Sequence, residues 1–194
     1  MKPGRRRSPP ASEVSPTRYV AFLRAINVRG HPSVRMTDLC AAFEGAGCTN
    51  VHSYIQSGNL FFEAGSDLLP VVRETVASLT GVHDNLFVRT ADDLHAIISG
   101  HPFGVLTGVR ALKLYIVFLA SAPPIPDLPV VDEKERLELI AVHDSEAYVV
   151  SRRKDSGMYG FPNAIVEKHL GIPATSRNWS TVAKLAALAN QTPA

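Results

Sequence analysis

The stretch from Tyr19 to Glu63 limits the possible folds more than any other part of the chain. Tyr19-Val20-Ala21-Phe22-Leu23 is short, apolar and suited to a pleated buried surface, so it reads as a strand. It runs straight into a donor-rich loop, Arg24-Ala25-Ile26-Asn27-Val28-Arg29-Gly30. A helix is expected next, with Thr37 as its N-cap, Leu39, Cys40 and Phe43 facing inward, and Gly47 at its end. Val51 to Gln56 then forms a second strand and Leu60 to Glu63 a third. Ser57-Gly58-Asn59 joins them as a tight hairpin in which Gly58 and Asn59 take positive φ.

The alternation continues. Ser66 is expected to cap a helix whose Leu68, Leu69, Val72, Val76 and Leu79 repeat at helical spacing up to Gly81, and Asn85 to Arg89 forms a fourth strand. The order βαββαβ in about seventy residues matches the ferredoxin-like split βαβ unit. Thr90-Ala91-Asp92-Asp93 opens a further helix with a capping arrangement, which ends by Gly100. Lys113 to Leu119 reads as a central strand buried on both faces. After a proline-rich stretch from Pro123 to Pro129, a hairpin turns about His143-Asp144-Ser145. Helices follow near Asn163 to His169, stopped by Gly171, and from Trp179 to Leu188, capped by Asn178. The predicted class is α+β. A ferredoxin-like subdomain spans 17–100, and a second, smaller α+β subdomain with C-terminal helices spans 101–194, packed with the first as one compact unit. No sequence repeat relates the halves.

Residues 1–16, rich in proline and arginine and poor in apolar side chains, cannot repay the entropy of folding and read as a disordered basic tail. They lack the apolar core of a secretory signal, and no uncharged apolar run reaches bilayer length, so a cytoplasmic protein with no membrane partner is expected. The net charge of +2 divides unevenly along the chain. The tail has four bases against one acid, residues 17–145 have ten against fourteen, and residues 146–194 have six against three. That is no broad phosphate-binding face, although a local basic pocket in the last quarter fits. Cys40 and Cys48 are too few for a disulfide framework. The seven histidines lack metal-site spacing, and phosphate and dinucleotide glycine loops are absent, so neither a metal nor a cofactor is expected.

Three runs resemble the signatures of one bacterial family, the domain of unknown function numbered 1697. They are Tyr19 to Gly30, Tyr54-Ile55-Gln56-Ser57-Gly58-Asn59-Leu60-Phe61-Phe62, and Gly171-Ile172-Pro173-Ala174-Thr175-Ser176-Arg177-Asn178-Trp179. The family's usual forms read LRGINVGG, YIQSGNVVF and GVPATTRNW. The likeness extends in order from Arg18 to Leu188 and implies two α+β subdomains, the first ferredoxin-like. Ala25, Arg29 and Ser176 depart from the pattern, and Arg29 puts a long cation where the family leaves room for close backbone approach. The resemblance implies a fold and no reaction.

The candidate ligand-binding residues fall in those three runs. Arg24, Asn27 and Arg29 offer cations and an amide for a carboxylate or phosphate. Gln56, Ser57 and Asn59 lie in the hairpin, where a turn explains the residues better than a serine nucleophile, because no base accompanies Ser57. Thr175, Arg177 and Asn178 stand before the last helix as an anion site or as an ordinary helix start. The leading expectation is a small anionic or nucleotide-like ligand held where the three loops converge. One alternative is single-stranded nucleic acid on the βαββαβ sheet through Phe61 and Phe62. Another is an enzyme of unidentified reaction, for which His31, Asp155, Tyr159 and Arg177 would have to meet.

Overall fold

The computed structural model describes residues 16–24, 34–55 and 58–191. Among the described residues, nine strands form two antiparallel sheets. The first holds β1 (Thr17–Leu23), β2 (Thr49–Tyr54), β3 (Asn59–Ala64) and β4 (Leu86–Thr90) in the order β2-β3-β1-β4. The second holds β5 (Leu112–Leu119), β6 (Val130–Asp132), β7 (Leu137–His143), β8 (Glu146–Arg152) and β9 (Ala174–Asn178) in the order β6-β7-β8-β5-β9. The helices are α1 (Met36–Gly45), α2 (Leu69–Thr80), α3 (Ala91–Ser99), α4 (Asn163–Leu170) and α5 (Trp179–Ala189). The chain is therefore α+β.

Strand periodicity sorts the apolar residues into layers, because successive side chains leave opposite faces. On β1, Tyr19, Ala21 and Leu23 join Leu60, Phe62, Leu39 and Phe43 beneath α1 and α2, while Val20 and Phe22 face the other way. On β5, Tyr115, Val117 and Leu119 pack with Ile165 and Val166 of α4, while Leu114, Ile116 and Phe118 turn toward the first sheet. The two inner faces share one core with Leu94 of α3 and Val182 and Leu185 of α5. At its centre the Phe22 and Phe118 rings stack with centroids 3.9 Å apart. β5 is thus buried on both faces, as its unbroken apolar run predicts, and β1 is buried in the same way.

Several local expectations need correction. Thr37 lies inside α1, whose N-cap is Arg35, and no side chain bonds the helix start. Ser66 begins a short 3₁₀ turn, and α2 starts at Leu69 with a proline in its first turn, where a missing N–H costs nothing. In the β2–β3 connection the positive φ values among described residues are at Ile55 and Gly58, while Asn59 is a buried member of β3 opposite Phe22. Thr175 to Asn178 belong to β9, which pairs with β5, and are not a loop. The capping box predicted at Thr90 and Asp93 is present in both directions.

The halves share no legible sequence repeat, yet their topology repeats. β1 lies between β3 and β4 as β5 lies between β8 and β9. β4 and β9 lead directly into α3 and α5, and α2 and α4 both end on a left-handed glycine, Gly81 and Gly171. Closing hydrogen bonds repeat as well. Leu23 N donates to Gly58 O (2.7 Å) as Leu119 N donates to Ser145 O (2.9 Å), and Arg24 N to Asn85 O (2.8 Å) as Ala120 N to Pro173 O (3.1 Å). In sequence order, a linker and β6 stand in the second half where α1 stands in the first.

Candidate functional site

Two arginines occupy equivalent places in this repeated plan, and each crosses to the other sheet. Arg177 of β9 is opposite Ile116, two residues before Phe118, and its guanidinium lies 5.5 Å from the centroid of the Phe22 ring. Arg89 of β4 is opposite Val20, two residues before Phe22, and lies 5.4 Å from the centroid of the Phe118 ring.

Arg177 brings the three sequence runs together. Its Nε donates to Asn59 Oδ1 (2.7 Å), and one terminal nitrogen donates to Thr175 Oγ1 (3.0 Å) and Ser176 O (2.8 Å). The other donates to Leu23 O (2.9 Å) and Gly58 O (3.2 Å). A guanidinium has five N–H groups, and each here has a protein acceptor. Burial pushes Arg177 down to about 10, still far above neutrality, so the buried cation persists at pH 7. It holds strand ends in place, with no N–H left over to grip a ligand.

Arg24 is engaged as well. It pairs with Glu167 of α4 at 2.6 and 3.2 Å, and the same carboxylate accepts from the Ala174 backbone at 3.0 Å. Asn178 is exposed at the start of α5 and makes no side-chain cap bond. Thr175 faces the inner core beside Arg177, while Ser176, opposite Val117, points to the α4 side with its hydroxyl sealed and unpartnered among described residues. Asn59, Thr175 and Arg177 thus meet beside the ends of β1 and β3, with Arg24 next along the chain from Leu23, while Asn178 follows Arg177 at the far end of β9. Asn27, Arg29, Gln56 and Ser57 lie outside the described residues, as does His31.

The alternatives fare differently. Phe61 is 2% exposed and Phe62 fully buried, so neither ring can stack on a base. Asp155 pairs with Arg136, and Tyr159 lies under Lys113 beside the first residues of β5, whereas Arg177 reaches to the far end of β1. The three described members of that set therefore do not share an acid–base site. Arg152 pairs with Glu138 and Lys154 with Glu135, so they do not extend the Arg177 cluster. Cys40 and Cys48 are free, and burial pushes both thiols up, away from the reactive thiolate. Among the described residues no group of three or more His, Cys, Asp or Glu could hold a metal, and no helix is long and apolar enough to cross a membrane.

Sequence reasoning missed the Phe118 side of the aromatic core. There Arg89 donates to Glu146 (2.5 Å), Ser145 O (2.8 Å) and Leu119 O (3.2 Å), pinning the β7–β8 turn to β4. Beside it a cleft of about 660 Å³ opens between α3 and that turn. Its lining residues are scattered between positions 89 and 148, with no shared motif to reveal them.

These features define an α+β protein of two antiparallel sheets joined through an aromatic core and crossed by paired, half-buried arginines. Residues 17–148 match the family described as "Protein of unknown function (DUF1697)", and the chain belongs to that family. Its fold is similar to that of the conserved bacterial protein SP0830 from Streptococcus pneumoniae, with a TM-score of 0.63 and 19% identity over 91% of this chain and 100% of that one. At that identity the likeness speaks for the fold alone. No curated protein matches the chain.

Proposed function

We propose that the chain is a cytoplasmic binding protein for a small anionic or nucleotide-like ligand, taken up where the ends of β1, β3 and β9 meet. In this reading residues 17–100 form a ferredoxin-like unit, and residues 101–194 a second α+β unit packed with it as one body. The strand order β2-β3-β1-β4 favours the first assignment. Two free thiols suit a reducing compartment.

The observation that carries the reading is the convergence of three distant segments on Arg177, at separations of 118 residues to Asn59 and 154 to Leu23. Strand-end loops on a rigid frame are common ligand positions. Arg177 acts as a positioning residue that fixes the loops, while Arg24 and Asn178 at the rim meet the ligand. Arg24 exchanges part of its pairing with Glu167 for the incoming anion.

Thermal-shift and calorimetric titrations with phosphate, adenosine nucleotides and citrate test this, using the full chain, Arg24→Ala and Asn178→Ala. One anion class is expected to raise the melting temperature of the parent, as any ligand of the folded state must, and to lose that effect in both variants. Absence of a shift from every class at millimolar concentration, or an undiminished shift in both variants, overturns the reading.

A further inference from the structure

The cleft between α3 and the β7–β8 turn has the opposite character. Ala96, Ile97, Pro102 and Ala141 supply apolar walls, and Arg89, Asp93, Asp144 and Glu146 supply the charge. One cation against three carboxylates leaves an excess of two negative charges before His143 is counted. Arg89 is neutralised by Glu146, Asp93 receives the Thr90 N–H through one oxygen, and Asp144 stands exposed beside His143. Its volume is that of an ordinary small-molecule site.

Tyr148 distinguishes this cleft from a passive gap. The residue is only 6% exposed and its ring packs edge-on against Phe103, yet no described residue hydrogen-bonds its hydroxyl. That oxygen is not among the sealed, unpartnered polar atoms, so it opens to the cleft that Tyr148 lines. Open to the cleft and without a protein partner, that oxygen is free to bond water or a ligand there. Burial, with Glu146 and Asp144 nearby, pushes the phenol up to about 12, so the hydroxyl stays neutral and can both accept and donate.

We propose that this cleft binds a small organic amine carried on an apolar or aromatic body, with the ammonium between Asp144, Glu146 and the Tyr148 hydroxyl and the body against Ile97 and Ala141. The ammonium donates to the Tyr148 oxygen and to lone pairs of Glu146 and Asp144 that Arg89 and His143 leave unused. An anion here would meet excess negative charge, which distinguishes this site from the Arg177 cluster. The proposal stands whether or not the anion reading holds.

The test titrates benzylamine and phenethylamine into the full chain, with 2-phenylethanol and phenylacetate as neutral and anionic mimics. Binding is read by calorimetry and by amide chemical shifts of α3 and the β7–β8 turn. Tyr148→Phe keeps the ring and its packing, and Asp144→Asn alters an exposed side chain, so both variants should fold. The amines should saturate, with 2-phenylethanol and phenylacetate at least about tenfold weaker, and each variant should lose about three- to tenfold in amine affinity, the size of one hydrogen bond or ion contact. The proposal is overturned if no amine saturates at tens of millimolar, if phenylacetate binds as tightly, or if both variants bind amines as the parent does.

Discussion

At the scale of single residues, an arginine near the end of a signature was the feature most open to misreading. Arg177 beside two hydroxyl residues suggests an anion grip, and its surroundings turn that chemistry inward. Two of its acceptors, Leu23 O and Gly58 O, are backbone carbonyls 154 and 119 residues away, which no local pattern announces. A lysine here would keep the charge but offer three donors in place of five. Arg177→Lys should therefore leave buried acceptors unmet and cost about 2–4 kcal/mol of unfolding free energy, measured by urea denaturation. An unchanged midpoint would mean that the network does not hold the strand ends. Arg89 was invisible for the same reason, since its partners sit on a turn that sequence places without placing its neighbours.

At the scale of elements, strong signals were legible and weak ones were not. β1 and β5 announce themselves because both faces are apolar, and α2, α3 and α4 because their glycine ends or capping residues have specific geometric work. β9 escaped because it is short and polar, Thr175-Ser176-Arg177-Asn178, and its pairing with β5 depends on the tertiary fold. β6, three residues long at the sheet edge, gives even less. The capping box that starts α3 permits a direct check. Thr90→Ala removes the acceptor for Asp93 N and should cost about 1 kcal/mol, seen as a lower thermal midpoint with unchanged far-ultraviolet circular dichroism of the folded state. A midpoint equal to the parent's would show that α3 is held by packing alone.

For the whole molecule, the shared core decides how the halves behave. Phe22 and Phe118 come from different sheets and are both fully buried against one another, so neither sheet can keep its inner face dry alone. Phe118→Ala should cost about 3–5 kcal/mol, and intrinsic fluorescence and circular dichroism should still report one coincident transition. Two separated transitions would show that the halves fold independently. The sequence carried the class of the fold and three of the segments that meet at Arg177. It did not carry the repeated plan, because the two halves reach the same hydrogen-bonding arrangement with different residues, Asn59 in one and Glu146 in the other.

The crossing of Arg177 to Leu23 also sets an order in time. A ribosome needs roughly 8–30 s to synthesise the 154 residues that separate them. Throughout that interval β1 has emerged without the guanidinium that ties its end to β3, and Phe22 has no Phe118 to lie against until the second sheet appears. The first sheet must therefore wait for β5 to cover its inner face, and for the strand made last to tie its end.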